Sequence, residues 1–79
     1  MSHNYVIDVS LDANGLDCPL PLLKAKQQLN RMSSGEVLEV LATDPGSQRD
    51  FAVFARQSGN VLLSSEEAGE GFRYLIEKK

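Results

Sequence analysis

The 79 residues, 42% of them hydrophobic, make one domain spanning 1–79 and leave no room for a second. A single cysteine excludes an internal disulfide and a cysteine-based zinc site, and one histidine beside it implies no closed metal site. The net charge of −3 argues against a whole-domain nucleic-acid footprint, because phosphate binding rests on Lys and Arg.

The start Met1-Ser2-His3-Asn4-Tyr5 lacks the basic and apolar pattern of a signal peptide. No run approaches the roughly 18 apolar residues that span a bilayer. The expectation is a cytoplasmic, monomeric protein whose lone thiol stays reduced. His3, the sole histidine, lies near a terminus and is not expected to be catalytic.

Residues 5–12 alternate Tyr5, Ile7, Val9 and Leu11 with Val6, Asp8, Ser10 and Asp12, the period of a half-buried strand. Ala13-Asn14-Gly15 breaks it. Residues 19–32 form a first helix with Leu22, Ala25, Leu29 and Met32 as its core stripe. Lys24, Gln28 and Arg31 fall on the opposite side, Lys26 on a flank, and Leu20 points away from the core. Residues 36–43 are the most apolar run and read as a central strand.

Asp44-Pro45-Gly46 is a turn. Ser47 and Asp50 then resemble a capping box, with Ser47 as N-cap of a second helix that reaches about Ser58 and stops at Gly59. Phe51, Ala52, Phe54 and Ala55 supply its buried face. Residues 60–66 give a third strand, 67–71 a hairpin loop, and Phe72, Tyr74 and Ile76 alternate in a fourth strand. The order β-α-β-α-β-β predicts an α+β fold. It is a two-layer α/β sandwich, a four-stranded mixed sheet with two helices on one face.

Gly15-Leu16-Asp17-Cys18-Pro19-Leu20-Pro21 carries the chemistry. It holds the only cysteine and two of the three prolines where the first strand gives way to the first helix. Cys18 is read as the helix N-cap and Pro19 as the first helical residue, a position that suits a residue without an N–H. The helix dipole and free N–H groups there favour thiolate, the nucleophilic form. Asp17 opposes them unless solvent screens it. The net expectation is a lowered or near-ordinary thiol pKa. Asp12 and Gly15 are read as turn chemistry that places the cysteine loop.

Cys18-Pro19-Leu20-Pro21 resembles the Cys-Pro-x-Pro motif of the TusA/SirA-like sulfur carrier family. Asp12, Gly15 and Leu16 upstream, and Ala42 to Ser47 with Arg49 and Asp50 downstream, are similar to that family's flanking segments. The resemblance implies that Cys18 accepts sulfur as a persulfide and passes it on in a relay, one branch of which serves tRNA thiolation. The implied partners are a donor, such as a cysteine desulfurase or a rhodanese-like protein, and a downstream acceptor protein. No cofactor is implied, nor any direct contact with nucleic acid or membrane.

Such a chain is a sulfurtransferase-type covalent carrier that depends on other proteins. With no second thiol, transfer must occur by exchange with a partner's thiol. Leu20 stands where that family's tRNA-thiolation branch has a carboxylate, so donor and acceptor do not carry over. Leu20, Lys24, Lys26, Arg31 and Arg49 are the candidate docking residues. The competing reading is a regulatory or adaptor domain that binds a protein partner without covalent chemistry. Sulfur uptake by Cys18 separates the two.

Overall fold

The computed structural model describes residues 5–79; His3 lies outside them. The elements are β1 (Val9–Ala13), α1 (Leu20–Leu29), β2 (Val37–Ala42), α2 (Ser47–Ser58), β3 (Val61–Ala68) and β4 (Gly71–Glu77). They form one four-stranded sheet of order β1-β2-β4-β3. β1 runs parallel to β2, and β4 runs antiparallel to both β2 and β3. The expected mixed sheet in an α+β fold is therefore the observed one, with the apolar β2 inside it.

One face of the sheet is the core. Leu38, Val40, Ala42, Tyr74 and Ile76 present it, and Ala25 and Leu29 of α1 and Phe51 of α2 close over it. Each large side chain so buried contributes about 1.5–3 kcal/mol. Phe51 stacks on Tyr74 with ring centroids 4.6 Å apart. The other face carries Ser10, Glu39, Arg73 and Glu66. Glu39 accepts from Ser10 Oγ at 2.7 Å and from Arg73 Nε at 2.6 Å, and Arg73 also reaches Glu66 at 3.3 Å.

Three element boundaries and the burial of one residue differ from the sequence reading. β1 begins at Val9 rather than Tyr5; ahead of it, the Asp8 N–H donates to the Val37 carbonyl at 3.0 Å and the Asp8 side chain accepts the Val37 N–H at 2.8 Å. α1 stops at Leu29, since the N–H groups of Arg31 and Met32 bond three residues back, to Gln28 and Leu29. Met32 is still buried, but from the following turn. Ala52 is exposed rather than core-facing. β3 extends to Ala68, which shortens the hairpin loop to Gly69 and Glu70.

The capping box does not form. Ser47 is the first residue of α2 and Gly46 occupies the N-cap position, with no side-chain cap bond. The Ser47 hydroxyl turns inward instead. It donates to the Asp44 carbonyl at 2.7 Å and meets the buried Tyr74 hydroxyl at 2.6 Å. A buried tyrosine needs such a partner, and the sheet supplies that demand.

Candidate functional site

The β1–α1 loop is set by turn chemistry. Asp12 Oδ1 accepts the Asn14 N–H at 3.0 Å, and Gly15 takes a φ of 81° that favours glycine. The Gly15 N–H then donates to Thr43 Oγ1 at 2.9 Å, which ties the loop to the end of β2. Asp12 and Gly15 thus each make a hydrogen bond in the loop ahead of Cys18. The chain reaches α1 through a turn in which the Leu20 N–H bonds the Asp17 carbonyl at 2.8 Å.

Helix α1 starts one residue later than the sequence suggests. Pro19 is the N-cap and Leu20 the first helical residue, and the first helical bond runs from Leu23 N–H to the Pro19 carbonyl at 3.1 Å. The prior turn fixes this offset, because it has already used the Leu20 N–H. Pro21 is buried and anchors the helix start against the core side. Cys18 stands just outside the cap, joined to Pro19 by a cis peptide bond, and is exposed.

The residue that meets the thiol is Asp50, from the first turn of α2. Cys18 Sγ donates to Asp50 Oδ2 at 2.7 Å. The Asp50 backbone N–H is already spent on the Gly46 carbonyl at 3.1 Å, which fixes the residue in the helix. Gly46 lies between the Asp44 side chain and the thiol. A Cβ built on it would lie 2.9 Å from Asp44 Oδ2 and 3.9 Å from Cys18 Sγ. Asp44 Oδ2 is itself buried and, among the described residues, without a hydrogen-bond partner.

The thiol pKa is raised above its ordinary value. Its hydrogen bond to the Asp50 carboxylate is the main cause, followed by desolvation and the charges of Asp50 and Asp44. This corrects the expectation of a lowered or near-ordinary value. Pro19 at the N-cap and Pro21 in the first turn of α1 carry no N–H, and the Leu20 N–H is occupied, so free donors near the sulfur are scarce. Carboxylates from α2 and its preceding turn outweigh the dipole. Asp17, the carboxylate nearest in sequence, is exposed, and its carbonyl rather than its side chain makes the local contact.

From Cys18 an open groove of 460 Å³ runs between α1 and α2. Leu22, Val53 and Phe54 give it an apolar floor, and Lys26 and Arg49 line it as cations. Lys26 Nζ lies 5.5 Å from the centroid of the Phe54 ring. Phe54 therefore serves the groove as well as the core against which it packs. Of the five residues read as docking candidates, Lys26 and Arg49 border this groove. Lys24 and Arg31 are exposed but do not line it. Leu20 is 46% exposed beside the thiol, and Leu23, which sequence reasoning passed over, is exposed to the same degree. Asp44, Gly46 and Asp50 were read as turn and cap residues. The signal for their place was their position at the mouth of the second helix, which the crossover brings beside the first.

A small α/β sandwich that presents a single exposed thiol at a helix start, beside an open groove, is the scaffold of a one-cysteine carrier domain. The family model described as "Sulfurtransferase TusA" matches residues 9–78, and the chain belongs to that family. It is 61% identical over 71 residues to the sulfur carrier protein TusA of Allochromatium vinosum, a match that covers 90% of this chain and 93% of that protein. It is 49% identical over 70 residues to a putative sulfur carrier protein of Neisseria meningitidis serogroup A, covering 89% of this chain and 95% of the other. Among solved structures, a SirA-like protein of Desulfitobacterium hafniense superposes with a TM-score of 0.72 at 26% identity. That match covers 87% of this chain and 95% of that one.

Proposed function

We propose that this protein is a sulfur carrier in which Cys18 holds the sulfur as a persulfide, loaded by one protein and unloaded by another. The observation that carries the reading is Cys18 itself, the only thiol of the chain, exposed at the start of α1 and open to a groove. A persulfide on a chain with no second cysteine has no internal thiol to attack it, so it survives until a partner's thiol arrives. The relatives named as sulfur carriers support the same reading.

A cysteine desulfurase or a rhodanese-like protein is the donor class that fits, and a thiol-bearing protein the acceptor class. Lys26 and Arg49, with the apolar floor between them, form the docking surface. Leu20 and Leu23 extend it past the thiol. The carrier works as a monomer in the cytoplasm, where its thiol stays reduced. Among the described residues no helix is long and apolar enough to cross a membrane.

Intact-protein mass spectrometry tests the reading after incubation with a cysteine desulfurase and free cysteine. The wild type gains one sulfur atom, and the gain is lost on reduction and absent in Cys18→Ser. No gain on the wild type with either donor class shifts the weight to an adaptor role without covalent chemistry.

A further inference from the structure

Among the described residues, Asp50 has one hydrogen bond at its carboxylate, and it is to the thiol. Its backbone N–H holds the first turn of α2, and no side-chain cap bond forms at that helix start. Its carboxylate instead reaches out of the helix to Cys18 Sγ at 2.7 Å, the one side-chain hydrogen bond of the thiol among the described residues. Gly46, in the turn before α2, lies against the same thiol: a Cβ built on it would be 3.9 Å from Cys18 Sγ, an ordinary contact.

Resting on the reading of Cys18 as a sulfur carrier, we propose that Asp50 is the proton relay of the transfer. It holds the thiol protonated in the free carrier, takes its proton when sulfur arrives, and returns one when sulfur leaves. In loading from a donor persulfide, R–S–S–H, Cys18 Sγ forms a bond to the terminal sulfur. The donor's S–S bond breaks, and its electron pair stays on the departing R–S⁻. The Cys18 proton passes to Asp50 and from there to that thiolate. The products are Cys18–S–S–H and R–S–H, with no external oxidant or reductant. The proton ends on the departing thiolate, so Asp50 is returned to its starting carboxylate form. Unloading reverses the path with the acceptor's thiol.

Other charges face the same point. Asp44 lies behind Gly46, Asp17 precedes the thiol in its own loop, and Lys26 of α1 and Arg49 of α2 line the groove. The relay is assigned to Asp50 because, of these, it alone is hydrogen-bonded to the sulfur.

The test compares the wild type, Asp50→Asn and Asp50→Glu in two assays across pH. One is alkylation of Cys18 by iodoacetamide. The other is sulfur uptake from glutathione persulfide, read by intact mass. Removing the carboxylate's charge frees the thiolate, so Asp50→Asn alkylates about tenfold faster near neutral pH, with its pH profile moved to lower pH. The same variant takes up sulfur about tenfold more slowly. Asp50→Glu, which keeps a carboxylate, takes up sulfur faster than Asp50→Asn. A merely structural role would change both assays in one direction. Alkylation that is unchanged or slower in Asp50→Asn overturns the hold on the thiol. Sulfur uptake that is unchanged or faster overturns the relay. If the wild type takes up no sulfur, the carrier reading fails and the relay fails with it.

Discussion

The Cys18 thiol and the Asp50 carboxylate meet at 2.7 Å across 32 positions of sequence, and so join the start of α1 to the first turn of α2. That contact leads the causes that raise the thiol pKa, ahead of desolvation and the charges of Asp50 and Asp44, where a cysteine at a helix start was expected to have a lowered or near-ordinary one. A raised pKa leaves less of the reactive thiolate, which suits a carrier that must reach its donor unreacted.

The contact has a consequence for stability. The folded protein binds the thiol proton more tightly than the unfolded chain, since the Cys18 pKa is raised by Asp50 first and by desolvation next. Its stabilisation is fully present below the thiol's unfolded pKa and is lost as pH rises through the folded one. Unfolding midpoints measured from neutral into alkaline solution fall more steeply for the wild type than for Cys18→Ser. Tyr74, whose pKa burial also raises, contributes equally to both proteins and cancels in the difference.

On the open face of the sheet the sign is opposite. Ser10 and Arg73, in that order, lower the Glu39 pKa. The stabilisation from Glu39 is therefore present above its unfolded pKa and is lost as pH falls through the folded value. Glu39→Gln costs about 1 kcal/mol at neutral pH and removes part of the acid-side decline, which denaturant unfolding at several acidic pH values measures.

Ser47 joins the turn before α2 to the sheet through Asp44 and Tyr74. Ser47→Ala leaves the buried Tyr74 hydroxyl without that partner and destabilises by about 1–3 kcal/mol. Tyr74→Phe in the same background recovers part of the loss, so the two substitutions are not additive. Denaturant midpoints of both single variants and the double variant check this.

The groove assigns different weights to the exposed cations. Lys26 and Arg49 line it beside the thiol, while Lys24 and Arg31 stand off it. Reversing the first pair to glutamate slows loading from a protein donor by about tenfold, mainly through association, and reversing the second pair does so much less. Loading rates at two salt concentrations separate the effect from a change in chemistry.

Much of the fold was legible because it is periodic. Alternation in Phe72, Tyr74 and Ile76, the apolar run of β2 and the stripe through Ala25 and Leu29 each mark one buried face. Cys18 and its prolines were legible as a motif, and Asp12 and Gly15 as turn chemistry. What could not be read was anything that depends on the crossover. Ser47 and Asp50 looked like a local capping pair, and only the tertiary fold supplies the competing partners Tyr74 and Cys18. Asp17 was the carboxylate to weigh because it is adjacent in sequence, whereas the one that acts on the thiol arrives from the other helix.

The central claim is that sulfur travels on Cys18. Isotope-labelled sulfur from cysteine, delivered through a cysteine desulfurase and then located by peptide mapping without reductant, tests it most directly. The label is expected as one extra sulfur on the peptide that contains Cys18, and is released when an acceptor thiol is added. Label found on no peptide, or still present in Cys18→Ser, contradicts it.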